Sequence, residues 1–159
     1  ELSDATKTKL ADSTKYYTGF GRVVYGGGGI TPDVFIPLDT SFTSDYFLAI
    51  RQQLPQFVTR WMENRDRKTL PADMNEFAKS WFASDAMLEE LIAYGEKQGT
   101  KRDAQQLAKS REELKFQLKA RVAKSLFGDI GLYKVVNDDD PAVEKALYLL
   151  KSGEPVAKR

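Results

Sequence analysis

The chain has 159 residues, 42% of them hydrophobic, which suits one globular domain or a domain with an appendage and can bury a core. Its 24 Lys and Arg against 23 Asp and Glu leave a net charge of +1, a balance that marks neither a polyanion binder nor an acidic tail. With no Cys and no His, it lacks Cys and His nucleophiles, the usual His general base and every His/Cys zinc site, so hydrolysis would fall to carboxylates or to a Ser with a Lys base.

No apolar run reaches the length of a membrane span, and no signal peptide opens the chain. The first residues, ELSDATKTKL, contain no Met, as in a fragment or a mature product. The lack of Cys suits an oxidising compartment.

Residues 1 to about 37 read as β-like. STKYYT and GRVVY are rich in β-branched and aromatic residues, and TGFG lies between them. With Gly19 and Gly21 free to take positive φ, a hairpin with a short turn is expected. The run Gly26, Gly27, Gly28, Gly29 ends the second strand. ITPDVFIP is extended, because Pro32 restricts Thr31 and Pro37 restricts Ile36, and alternation puts Val34 and Ile36 on one face.

From about Thr43 the period becomes helical. Ser44 is a plausible cap for SDYFLAIRQQL, after which Pro55 either kinks one long helix or starts a second. Phe57, Val58, Trp61 and Met62 recur at helical spacing. Pro71 separates them from ADMNEFAKSWF, where Met74, Phe77, Trp81 and Phe82 fall on one side. Ser84 caps DAMLEELIAYGEKQ, and Gly99 stops it. In the longest pattern, Leu107, Leu114, Leu118, Val122 and Leu126 form a stripe, with Gly128 beyond. GLYKVV reads as a short β-like link. The final helix has Asp140 as cap, Pro141 at its first position and Gly153 past its end. The fold class is mostly α with a small N-terminal β-hairpin and extended element, an α+β chain with a bundle-like helical part over 41–159. A lone hairpin is marginal in water, so its sheet is expected to continue in sequence outside this chain.

Candidate chemistry is sparse. A glycine-rich phosphate cradle needs a helix directly after the loop, whereas Ile30, Thr31, Pro32 and Asp33 follow here, so the glycines read as a tight chain passage and Asp33 as a turn acceptor. Ser13 and Lys15, and the Lys-Ser pairs 79–80, 109–110 and 124–125, read as solvated surface rather than as dyads. Asp138, Asp139 and Asp140 lack the calcium-loop pattern and serve the following helix. Lys109, Arg111, Lys115, Lys119, Arg121 and Lys124 form a basic face without interleaved exposed aromatics, which reads as solvated and not as a nucleic-acid surface. Phe57, Trp61, Phe77, Trp81 and Phe82 read as packing core. No residue motif calls for a metal or a cofactor.

The stretch YYTGFGR…GGGGITPDVFIP resembles the end of the catalytic domain of C-terminal processing peptidases, the tail-specific protease family. Tyr16, Tyr17, Thr18, Gly21 and Arg22 match that family's Tyr-Tyr-Thr-x-x-Gly-Arg hairpin. Gly29, Ile30, Pro32 and Asp33 match its Gly-Ile-x-Pro-Asp segment. Gly19 and Phe20 stand where the family usually has Pro and a small polar residue. The match covers about residues 14 to 37, and the helical remainder agrees in layout only. The resemblance implies a Ser nucleophile and a Lys base, both lying upstream of Glu1, so no catalytic residue is assigned here and the chain alone is expected to be inactive. It also implies polypeptide substrates, an upstream catalytic core that often carries a PDZ module, and a bacterial periplasmic, envelope or secreted location. Residues 1–40 would then be terminal core strands, and 41–159 a helical domain supporting the core, mediating homo-oligomerisation or shaping access. The alternative is a non-enzymatic helical interaction module.

Overall fold

The computed structural model describes residues 14–19, 21, 23–25 and 34–154. The chain divides into two compact units, one joining the N-terminal hairpin region with the last helix, the other spanning Thr40–Asp140.

In the first unit, strands β1 (Lys15–Tyr17) and β2 (Val23–Tyr25) pair antiparallel, with Lys15 opposite Tyr25, Tyr16 opposite Val24 and Tyr17 opposite Val23. The expected turn closes through a Gly21 N–H donating to the Thr18 carbonyl at 2.8 Å, and Gly21 takes φ +78°, open to glycine at little cost. Val34, Phe35 and Ile36 are half-buried, and no strand forms over residues 34–40. The last helix, α5 (Pro141–Ser152), starts at Pro141 and stops before Gly153 at φ +67°, as the sequence predicts. None of its residues is buried.

The second unit is helical. Helix α1 (Asp45–Glu63) begins where the Ser44 hydroxyl accepts the Phe47 N–H. Pro55 lies inside this single helix rather than starting another, and the Thr59 hydroxyl donates to the Pro55 carbonyl. A short 3₁₀ turn at Arg67–Thr69 leads to α2 (Met74–Ser80), capped by Asp73. Helix α3 (Asp85–Lys97) starts at Ser84 and ends in a Schellman motif: the Gly99 and Thr100 N–H groups donate to the Glu96 and Gly95 carbonyls, with Gly99 at φ +96°. Helix α4 (Ala104–Asp138) is capped by Asp103 and broken at Gly128, whose φ of 72° and ψ of −159° only glycine adopts freely.

Helix α1 packs on α3 and α4, and α2 packs on α4. The core joins Phe47, Ile50, Leu54 and Val58 of α1 with Leu88, Leu91 and Ile92 of α3 and the Leu107–Leu114–Leu118–Val122 stripe of α4. Phe77 stacks on Trp81 at 4.9 Å and meets Phe127 edge-on at 5.7 Å.

Three expectations are corrected. GLYKVV is helical, because burial of Val135 against the core and the Lys134–Asp138 pair one turn apart outweigh its β-branched composition. Phe82 is 67% exposed, because α2 ends at Ser80 and the extended chain carries Phe82 off the apolar side. Ser110 is fully buried and donates to the Gln106 carbonyl instead of facing solvent.

Candidate functional site

The hairpin places the first half of the Tyr-Tyr-Thr motif. Tyr16 and Tyr17 alternate along β1, Thr18 starts the turn and Gly21 ends it, all exposed. Arg22, Gly26, Gly27, Gly28, Gly29, Ile30, Pro32 and Asp33 lie outside the described residues.

The Lys-Ser pairs form no dyad. The Ser80 hydroxyl donates to the Glu76 carbonyl and the Ser110 hydroxyl to the Gln106 carbonyl, while Ser125 is exposed. The Lys124 amine instead pairs with Asp129 at 2.6 Å.

The helical unit carries two concave features. The first is a cavity of about 520 Å³ between the end of α2 and α4, lined by Ala78, Phe82, Lys115, Phe116, Lys119 and Val135, with Glu112, Asp138 and Asp139. Lys119 departs from the solvated face expected for it, being only 9% exposed. Its amine donates to the Ala78 carbonyl at 2.6 Å and lies 4.1 Å from the centre of the Phe82 ring. It therefore caps α2 from another helix, and the Phe82 face adds a cation–π contact. Burial lowers its pKa, while Asp139 and Asp138 act in the opposite direction. Neighbouring Lys115 reaches Asp85 at 3.1 Å, and Arg111 reaches the same carboxylate at 3.0 Å. Hydrogen bonds from Lys115 and Arg111 hold the Asp85 carboxyl below the usual range. Asp138 is engaged by Lys134, whose amine donates to both carboxylate oxygens at 2.8 and 2.7 Å.

The second feature is an open groove of about 710 Å³ between the C-terminal halves of α1 and α3, with the turn at 65–69 along one side. Phe57, Trp61 and Tyr94 are its aromatic residues, and Arg60, Arg65 and Lys97 its cations. The Arg60 guanidinium carbon is 5.3 Å from the centre of the Tyr94 ring, and that of Arg65 is 4.4 Å from the Trp61 ring. Arg65 also makes a loose 3.6 Å pair with Glu90. The Tyr94 hydroxyl donates to Gln56, whereas the Trp61 indole N–H is buried with no acceptor among the described residues.

Sequence reading assigned Phe57 and Trp61 to the core and singled out neither Arg60 nor Arg65. Arg65 lies past the end of α1, so no helical spacing pairs it with Trp61. Tyr94 and Lys97 come from another helix, so their approach is set by tertiary packing.

Among the described residues, no helix is long and apolar enough to cross a membrane. A family model described as a family of unknown function (DUF8443) matches residues 46–128. No curated protein and no solved structure matches the chain.

Proposed function

The chain belongs to the DUF8443 family through its helical unit, and from this premise we propose that it is the C-terminal part of a serine-type C-terminal processing endopeptidase, a helical family domain following the last strands of a catalytic core. The observation carrying the proposal is the β1–β2 hairpin, with Tyr16, Tyr17 and Thr18 leading into a turn closed at Gly21. A two-stranded ribbon this short is marginal alone, and Tyr16 and Tyr17 on it are exposed, which suits a sheet continued by further strands. The catalytic Ser and Lys would lie upstream of Glu1, and the cleaved substrates would be polypeptides. The resemblance to tail-specific proteases implies a bacterial periplasmic, envelope or secreted location, with which a chain free of Cys is compatible.

In this reading the helical unit supports the core, mediates self-association or shapes access, and takes no part in bond cleavage. The carbonyl-bonded Ser80 and Ser110 hydroxyls and the α2-capping Lys119 are consistent with a non-catalytic unit. Peptide hydrolysis tests it: the isolated chain should cleave nothing. Activity that disappears when a serine within the chain is changed would contradict it.

A second reading, a helical interaction module without enzymatic context, is favoured by one observation: the family match lies wholly within the helical unit and leaves out the hairpin. It predicts cooperative unfolding of this chain and a natural protein with no upstream catalytic region.

A further inference from the structure

The groove between α1 and α3 is assigned by neither the hairpin motif nor the family. Three cations converge on it, and their local partners leave them under-used. Arg60 and Lys97 make no ion pair among the described residues, and Arg65 has only the 3.6 Å pair with half-exposed Glu90, which water and salt screen. Both guanidiniums lie over aromatic rings. Stacking orders a guanidinium plane and leaves its N–H edges free to grip a carboxylate in bidentate fashion.

Compensation of helix dipoles explains one cation in the last turn of α1 and another in that of α3. It does not explain why both line one open groove together with Arg65 and an aromatic surface. Asp66 and Glu90 also line the groove. They repel a continuous polyanion and favour a ligand whose charges are spaced. Half-buried Trp61 and Tyr94 offer apolar surface between the charges. The groove is too large and too open to select a single inorganic ion.

We propose that this groove docks an acidic, extended peptide segment of a polypeptide partner, with carboxylates on Arg60 and Lys97 and apolar side chains against Trp61 and Tyr94. Docking of this kind is independent of whether the hairpin belongs to a peptidase core.

The chain has two tryptophans, Trp61 in the groove and Trp81 at 6.3 Å from it, so intrinsic fluorescence reports occupancy. The probes are a capped hexapeptide alternating Glu and Leu, its Gln counterpart, and sodium acetate, each titrated into the full chain. The Glu peptide should saturate the signal, bind more weakly as salt rises, and bind about ten-fold more tightly than the Gln peptide. Arg60→Gln combined with Lys97→Gln should weaken it by about ten-fold or more, with an unchanged circular dichroism spectrum. Arg51→Ala, on an exposed position of α1 outside the groove, should bind like the parent. Equal binding of the Gln peptide, or full affinity in the double variant, would overturn the proposal. So would acetate alone saturating the signal, which would make this a simple anion site. Self-association lost in the double variant, without peptide binding, would assign the groove to a second copy and equally overturn it.

Discussion

The Lys119 amine, in the middle of α4, donates a 2.6 Å hydrogen bond to the Ala78 carbonyl at the end of α2, joining positions 41 apart in the chain. Phe82 covers the same amine, so one side chain ends a helix, anchors the segment after it and ties both to α4. Lys119→Met keeps much of the bulk but strands the carbonyl. A loss of about 1–3 kcal/mol in urea unfolding is expected. Burial lowers the Lys119 pKa, so the unfolded chain holds this proton longer than the folded one. Its contribution should therefore become more favourable as pH rises towards the ordinary lysine value of about 10.4. The stability gap between parent and variant should widen over that alkaline window.

Asp85 titrates in the opposite range. Lys115 and Arg111 hold its carboxylate ionised to lower pH than in the unfolded chain. The stabilisation is complete above the ordinary carboxylate value of about 3.9 and is lost as pH falls through the lower folded value. Asp85→Asn should thus be less stable than the parent at pH 6, with the gap closing below about pH 4. Added salt should narrow the gap at pH 6, because the carboxylate is mostly exposed.

Two glycines in α4 are expected to resist substitution for different reasons. At Gly128 the backbone itself excludes a side chain, so Gly128→Ala should cost about 1–3 kcal/mol. At Gly131 a Cβ would lie 2.7 Å from the Ala123 carbonyl oxygen and 2.7 Å from the Phe127 Cβ. Gly131→Ala must move backbone, and a cost of about 1–3 kcal/mol is expected. Gly95→Ala should cost less, since the added methyl crowds the Ile50 Cδ1, the end of a side chain, while Thr100 lies at ordinary contact distance, and helix propensity favours Ala by up to about 1 kcal/mol. Chemical denaturation of the three variants orders them.

Phe77 is fully buried between Trp81 and Phe127. Phe77→Ala should lose about 3–5 kcal/mol in urea unfolding, with the Trp81 emission shifting to the red as its stacking partner disappears.

The sequence was most readable where structure is local. Ser44, Ser84 and Pro141 marked helix starts, and Gly99 and Gly153 marked stops, because capping involves neighbours a few residues apart. The Leu107–Val122 stripe was equally plain. GLYKVV reads locally as a strand because of its β-branched residues, whereas Val135 finds its burial against distant residues in a helix. Phe82 fits the helical period of the preceding residues, but α2 ends two positions before it. Lys119 looked like one of a row of solvated cations until packing brought Ala78 to it. The groove depended on two helices meeting, so Arg60 and Tyr94 could not be paired by spacing along the chain. In the hairpin motif, Tyr16, Tyr17, Thr18 and Gly21 were legible as a strand and its turn.

The central claim, that this chain trails a catalytic core, is tested most directly by the intact mass of the natural protein in its source cells, detected with an antibody against the helical unit. A species several times heavier than 17.9 kDa is predicted, with a Ser and a Lys essential for peptide cleavage in its upstream region. A species of this size from a gene that encodes no upstream domain would contradict the claim and leave the helical interaction module.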